Sequence, residues 1–184
     1  INMGIPHTKV RDYLKVLARE YNPVKEWIDS EPWDGVDRLP DFFASLTTEE
    51  SAQLKEMLLR KWLIACVAAA YEENGVELEG ILVLQGAQGL GKTLWFKRLC
   101  DYNKGWLLEE FLTDTSGNRR FWVLAVKEIN VNHGVNMQQL WAQVKETMYV
   151  AGQKNWFLTP DERELLHQSN EMYRTQSSVE DLIL

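Results

Sequence analysis

Apolar positions recur at helical spacing through most of this chain, and two short runs stand apart from that spacing. Val10, Tyr13, Leu14 and Leu17 share one face of a helix that Thr8 can cap and that runs to about Tyr21. Asn22-Pro23 then restarts the chain. Asn is a good cap and Pro suits the first helical position, so a short helix over 23–30 carries Val24, Trp27 and Ile28. A turn at Glu31-Pro32-Trp33-Asp34-Gly35 follows, and then a short helix within 38–46 bearing Leu39, Phe42, Phe43 and Leu46. Thr47 caps the longest predicted helix, from about Thr48 to Glu73, which Asn74-Gly75 stops. Its middle, Trp62 to Ala70, is apolar nearly all round, which predicts packing on more than one neighbour.

Of the two short runs, Ile81–Leu84, leading into Gln85, reads as a buried parallel strand, and Phe121–Val126 reads as a second buried strand. Beyond them Asn136 caps a helix to about Ala151 that aligns Leu140, Trp141, Val144 and Met148. Thr159-Pro160-Asp161-Glu162 is a capping box opening a helix to about Tyr173, and 179–184 reads as a short docking helix. The chain divides into an N-terminal helical region (1–75), a core (76–130) and a C-terminal helical region (131–184), which makes the fold class α/β.

The first strand runs into Gly86-Ala87-Gln88-Gly89-Leu90-Gly91-Lys92-Thr93, which fits G-x-x-x-x-G-K-[ST], and then into a helix over Leu94–Leu99. Strand, glycine loop and helix stand in the order that phosphate binding requires. Glycines at 86, 89 and 91 let the backbone wrap closely round a phosphate. The N–H groups from about Gly89 to Thr93 then form a nest at the positive end of the helix dipole. Lys92 would reach the β- and γ-phosphates of ATP, and the Thr93 hydroxyl would take one coordination position on Mg²⁺. The competing reading is a glycine-rich turn with Lys92 merely solvated.

Composition changes this picture little. Apolar residues make up 45% of the 184 and charged residues 26%, ordinary for a soluble globular protein. Eight tryptophans imply large flat contacts. A net charge of −7 does not advertise a nucleic-acid binder, though a local basic channel can sit inside an acidic particle. Cys66 and Cys100 fall in apolar helical patterns without metal spacing and read as buried, reduced thiols of a cytosolic protein. No stretch approaches a membrane span or signal peptide. The first residue is Ile1 rather than Met, which reads as a piece of something longer.

A phosphate loop needs an acid on a neighbouring strand to hold Mg²⁺ and position water. Glu109 and Glu110 follow a very short apolar run, and Glu128 follows the better strand but with Lys127 between; a solvated surface acid is the readier reading of each. About 25 residues separate Thr93 from Arg119, too few for another βαβ unit. Arg119 and Arg120 stand at the mouth of the second strand, after Gly117. Adjacent strand residues point to opposite faces, so one arginine could meet a nucleotide, in trans from a neighbouring subunit, while the other pairs internally. Two structural arginines in surface ion pairs would explain the dipeptide as well.

Six ordered motifs carry a resemblance across nearly the whole chain. They are Asn22-Pro23-Val24-Lys25-Glu26-Trp27-Ile28, Pro32-Trp33-Asp34-Gly35-Val36, Arg60-Lys61-Trp62-Leu63-Ile64, the phosphate loop, Gly117-Asn118-Arg119-Arg120-Phe121-Trp122 and Leu158-Thr159-Pro160-Asp161-Glu162. Together they resemble the virulence-associated E family, ATPases of phages, prophages and pathogenicity islands related to superfamily 3 helicases of the AAA+ class. The resemblance implies a RecA-like αβα core, with helices before and after it. It also implies a homo-oligomeric, hexameric ring that translocates on DNA during replication of a mobile element, in the cytoplasm of a bacterial host. It maps Gly86–Thr93 onto the Walker A loop and Arg119 or Arg120 onto the arginine finger. Family members carry a long segment between these two motifs, with the Walker B acids, a polar sensor residue and a DNA-contacting hairpin. Here it is absent, with the break near 108–110. Either the protein has lost this segment or the sequence omits it; the expectation is omission, because a sheet without its central strands should not fold stably. Two other classes share the loop: a nucleotide-binding interaction module without turnover, and a small-molecule phosphotransferase.

Overall fold

The computed structural model describes residues 22–100, 120–152 and 154–180, with the backbone alone at 120 and over 171–180. The expected helix over 8–21, the apolar run at 106–108, Glu109, Glu110, Arg119 and residues 181–184 lie outside the described residues.

Helix α1 (Pro23–Ile28) is entered as its sequence signals. The Asn22 Oδ1 accepts from the N–H groups of Val24 and Lys25, both at 3.1 Å, while its Nδ2 donates to Ala70 O at 3.0 Å. One side chain thus starts α1 and ties it to a later helix. Helix α2 (Leu39–Ala44) buries Leu39, Phe42 and Phe43. The chain then departs from expectation. Leu46–Thr48 is a strand, β1, and the long helix α3 (Ala52–Tyr71) begins later, with Ser51 Oγ accepting from Leu54 N–H at 3.2 Å. Thr47 is therefore not a cap. Both threonines are β-branched and suit an edge strand once a partner exists to pair with.

That partner is β3 (Arg120–Ile129), which lies between β1 and β2 (Gly80–Gln85) in a three-stranded sheet of order β1-β3-β2. β1 runs antiparallel to β3, Leu46 opposite Ile129 and Thr47 opposite Glu128, with a register shift before Thr48. β2 runs parallel to β3 from the Gly80–Arg120 pair to the Gln85–Ala125 pair. The protein is thus a mixed α/β structure, with three strands among the described residues where the sequence announces two. β3 also outlasts its expected end at Val126, because pairing with β1 carries it to Ile129.

Helix α3 packs on several neighbours, as its apolar middle requires: Leu58, Leu59, Leu63 and Val67 are fully buried. Helix α4 (Lys92–Leu99) follows the glycine loop, and α5 (Met137–Gln143) starts with Asn136 Oδ1 accepting from Gln139 N–H. From Val144 to Val150 the helix widens to π geometry instead of staying α-helical. The Thr147 hydroxyl donates to Gln143 O at 2.8 Å, competing for a carbonyl of the ladder. Helix α6 (Pro160–Glu180) opens with the capping box closed both ways: Thr159 N–H to Glu162 Oε2 at 2.7 Å, Glu162 N–H to Thr159 Oγ1 at 3.3 Å. It runs past Tyr173 and absorbs Val179, since no Gly or Pro interrupts 161–180. Cys66 and Cys100 are free and half-buried, not fully buried.

Three glutamines clamp the 28–38 stretch onto α5. Gln138 Nε2 donates to the carbonyls of Ile28 and Glu31. Gln139 donates to Pro32 O and accepts from Asp34 N–H, while Gln143 accepts from Arg38 N–H and donates to Asp37 Oδ1. This joins the N-terminal helices to the C-terminal ones, so the Pro-Trp-Asp-Gly turn is a docked strap.

Candidate phosphate-binding site

The loop Gly86–Gly91 turns between the end of β2 and the first residue of α4, the order read from the sequence. Gly89 and Gly91 each take φ +88°, a conformation that L side chains rarely adopt. Gly86 is needed for a different reason. A Cβ there would lie 2.5 Å from Val126 O, so the loop leaves the sheet against the bare backbone of β3. A Cβ at Gly89 would meet nothing within 4 Å, which leaves open space at the loop's tip. Lys92 is not simply solvated: its Nζ donates to Gly86 O and Ala87 O, both at 2.7 Å. The ammonium is folded back across the loop, held by two carbonyls that phosphate oxygens could replace. Thr93 is exposed beside it in the first turn of α4. Ala87, Gln88 and Gly89 are exposed too. These groups fit a polyphosphate with its Mg²⁺: backbone N–H groups at a helix N-terminus, one lysine and one hydroxyl.

Helix α4 has eight residues, too few to hold its own orientation, and aromatic side chains anchor it. Trp95 is fully buried, stacks on Phe42 with ring centroids 5.3 Å apart, and donates its Nε1–H to Ser45 Oγ at 2.9 Å. At the helix's end, Trp141 of α5 donates its indole N–H to Leu99 O at 2.9 Å. The aim of Lys92 and Thr93 therefore depends on α2 and α5.

The stretch after β3 belongs to the same neighbourhood, which sequence reasoning missed. A Cβ on Gly91 would come within 3.0 Å of Val131 Cγ1, so residues 130–134 lie against the phosphate loop. Their turn is held by two of their own side chains and by a backbone bond to Ser45. Asn130 N–H donates to Ser45 O, Asn130 Oδ1 accepts from Asn132 N–H, and His133 Nδ1 accepts from Val135 N–H. The last bond places the neutral ring's proton on Nε2. Burial, and then the charge of Arg98, hold the His133 imidazolium below its ordinary range. The signal was present: an Asn-rich turn ending in Gly, after a strand parallel to the one feeding the loop.

The arginine candidate does not gather here. Arg120 opens β3 opposite Gly80, whereas the phosphate loop leaves from Gln85. Five strand residues at about 3.3 Å each put its backbone roughly 17 Å from the end of β2 that carries the loop. Glu128 is exposed on the β1 side of the sheet, paired across from Thr47, and Lys127 meets Glu49 at 2.8 Å. Among the described residues no group of three or more His, Cys, Asp or Glu could hold a metal ion, and no helix is long and apolar enough to cross a membrane.

A family model described as the virulence-associated protein E-like domain matches residues 28–107 and 108–175. The chain belongs to this family. Among curated proteins none matches it. The two matched pieces of this virulence-associated protein E-like domain meet between Leu107 and Leu108, at the edge of the break expected near 108–110. Within the family match the strap at Pro32–Val36, the phosphate loop and the capping box at Thr159 all have defined places in the fold. Arg60 lies 4.9 Å from the Phe43 ring centroid, and Trp62 meets Phe96 of α4 edge-on. The Arg60-to-Ile64 motif therefore braces α3 against the element that carries Lys92.

Proposed function

We propose that this virulence-associated protein E-like domain is the nucleotide-binding part of an ATP-hydrolysing, DNA-translocating ring ATPase of a phage or other mobile element. The observation that carries the reading is the phosphate loop, folded between a strand and a helix with Lys92 bridging Gly86 O and Ala87 O. In this reading the N–H groups from Gly89 to Thr93 and the Lys92 ammonium hold the β- and γ-phosphates. Thr93 contributes to the Mg²⁺ shell, which supplies charge neutralisation at the transferred phosphoryl group. In this reading the sheet is part of a RecA-like core whose central strands would belong to the segment expected near 108–110, where the two family matches abut.

The place of Arg120 supports action in trans. Its backbone opens β3 at the end remote from the phosphate loop, so an arginine finger at 119 or 120 serves the site of an adjoining protomer, as in a ring. DNA as the translocated partner rests on the family resemblance.

The test is turnover in the full-length protein. Lys92→Ala abolishes ATP hydrolysis, while Arg120→Ala keeps nucleotide binding and loses hydrolysis. Monomers isolated by dilution that hydrolyse ATP as fast as the assembly would remove the in-trans arginine. ATP binding with no Mg²⁺-dependent hydrolysis would select the non-hydrolysing interaction module instead.

A further inference from the structure

The phosphate loop reads charge: its N–H groups and Lys92 would hold any polyphosphate, with or without a nucleoside attached. Whatever distinguishes a nucleoside triphosphate must lie beside the loop. In the described sheet β2 has β3 on one flank only. On that flank β3 outruns β2 by four residues, Val126 to Ile129, and continues into the turn at 130–134. This extension meets the loop at both ends, through Val126 O at Gly86 and Val131 Cγ1 at Gly91.

The turn is shaped before any ligand arrives. The Asn130 and Asn132 N–H groups and the His133 ring are all engaged, and His133 stands edge-on to Phe42 with centroids 6.2 Å apart. What it leaves unused is specific. Val131 offers an apolar surface directly against the loop. Asn132 is exposed, and its carboxamide makes no hydrogen bond among the described residues. A carboxamide both donates and accepts, the combination that ribose hydroxyls and base edges require.

We propose that residues 130–134 form the nucleoside-side wall of the phosphate site, with Val131 packing against the sugar or base and Asn132 hydrogen-bonding to it. This rests on the nucleotide-binding reading above, and it makes Asn132 a specificity residue for nucleoside triphosphates over inorganic polyphosphate. The bulk of the binding strength stays with the loop, and the wall supplies the difference between the two ligand classes.

The experiment compares ATP with inorganic tripolyphosphate by titration calorimetry on the full-length protein. Wild type binds ATP more tightly than tripolyphosphate. Asn132→Ala weakens ATP about tenfold, the scale of one hydrogen bond in a partly dry site, and leaves tripolyphosphate within about twofold. Val131→Ala acts in the same direction and by less. Equal binding of the two ligands by wild type, an unchanged ATP affinity in Asn132→Ala, or equal loss of both ligands overturns the wall. Lys92→Ala separates the two ideas. If wild type binds neither ligand, or Lys92→Ala weakens neither, the phosphate reading itself falls and takes the wall with it.

Discussion

Ser45 and Trp95 offer the sharpest check on how α4 is held. Ser45 is 2% exposed and Trp95 0% exposed; the serine hydroxyl accepts from the indole N–H at 2.9 Å and donates to Phe42 O at 2.6 Å. Ser45→Ala strands the indole N–H in a core without water, at a cost of about 1–3 kcal/mol. It also removes the bond onto Phe42 O, a further ~0.5–1 kcal/mol. Trp95→Phe keeps an aromatic ring beside Phe42 but loses the donor and leaves a void, at about 1–3 kcal/mol. In that background Ser45→Ala has no indole left to strand and costs only the ~0.5–1 kcal/mol of the Phe42 bond. The cycle therefore predicts a coupling of about 1–3 kcal/mol between the two positions. Urea titrations followed by far-ultraviolet circular dichroism supply the four stabilities, provided the slope m is common to all. If Ser45→Ala costs the same in both backgrounds within about 0.3 kcal/mol, the indole–hydroxyl bond does not anchor the helix.

Two further outcomes follow from the same coordinates. A Cβ on Gly80 would sit 2.1 Å from Trp122 Nε1, and Trp122 is only 1% exposed. Gly80→Ala should therefore lower the unfolding free energy by about 1–3 kcal/mol or more through overpacking; an unchanged urea midpoint would mean the indole has somewhere to go. His133 sets an acid limit. Its folded pKa lies below the ordinary 6.5, through burial first and then the Arg98 charge, so the unfolded chain binds the proton more readily. Its neutral form is matched to the fold above pH 6.5, and that contribution declines as pH falls from 6.5 through the lower folded value. Wild type should lose thermal stability relative to His133→Gln between about pH 7.5 and 5.5, and parallel losses would assign the titration elsewhere.

What the sequence determined alone was whatever residues a few positions apart can settle between themselves. Asn22 caps α1, Asn136 caps α5, and the Thr159–Glu162 box closes, because each bond spans two or three residues. The strand, glycine loop and helix at 80–99 were legible for the same reason: glycines permit the positive φ, and the apolar run before them needs only burial. Tertiary structure decided what depends on a distant partner. Thr47 and Thr48 could cap a helix or edge a sheet, and Glu128 and Val126, some 80 positions on, turned them into β1. The end of α6 was misplaced because polar composition resembles a tail, while a helix stops only where its ladder is broken. Only the parallel pairing of β2 and β3 could bring Val131 to Gly91 and carry Arg120 to the opposite end of the sheet. Register converts sequence separation into distance, and no local pattern encodes register. The chemistry of the loop was therefore readable in advance, whereas its neighbours were not.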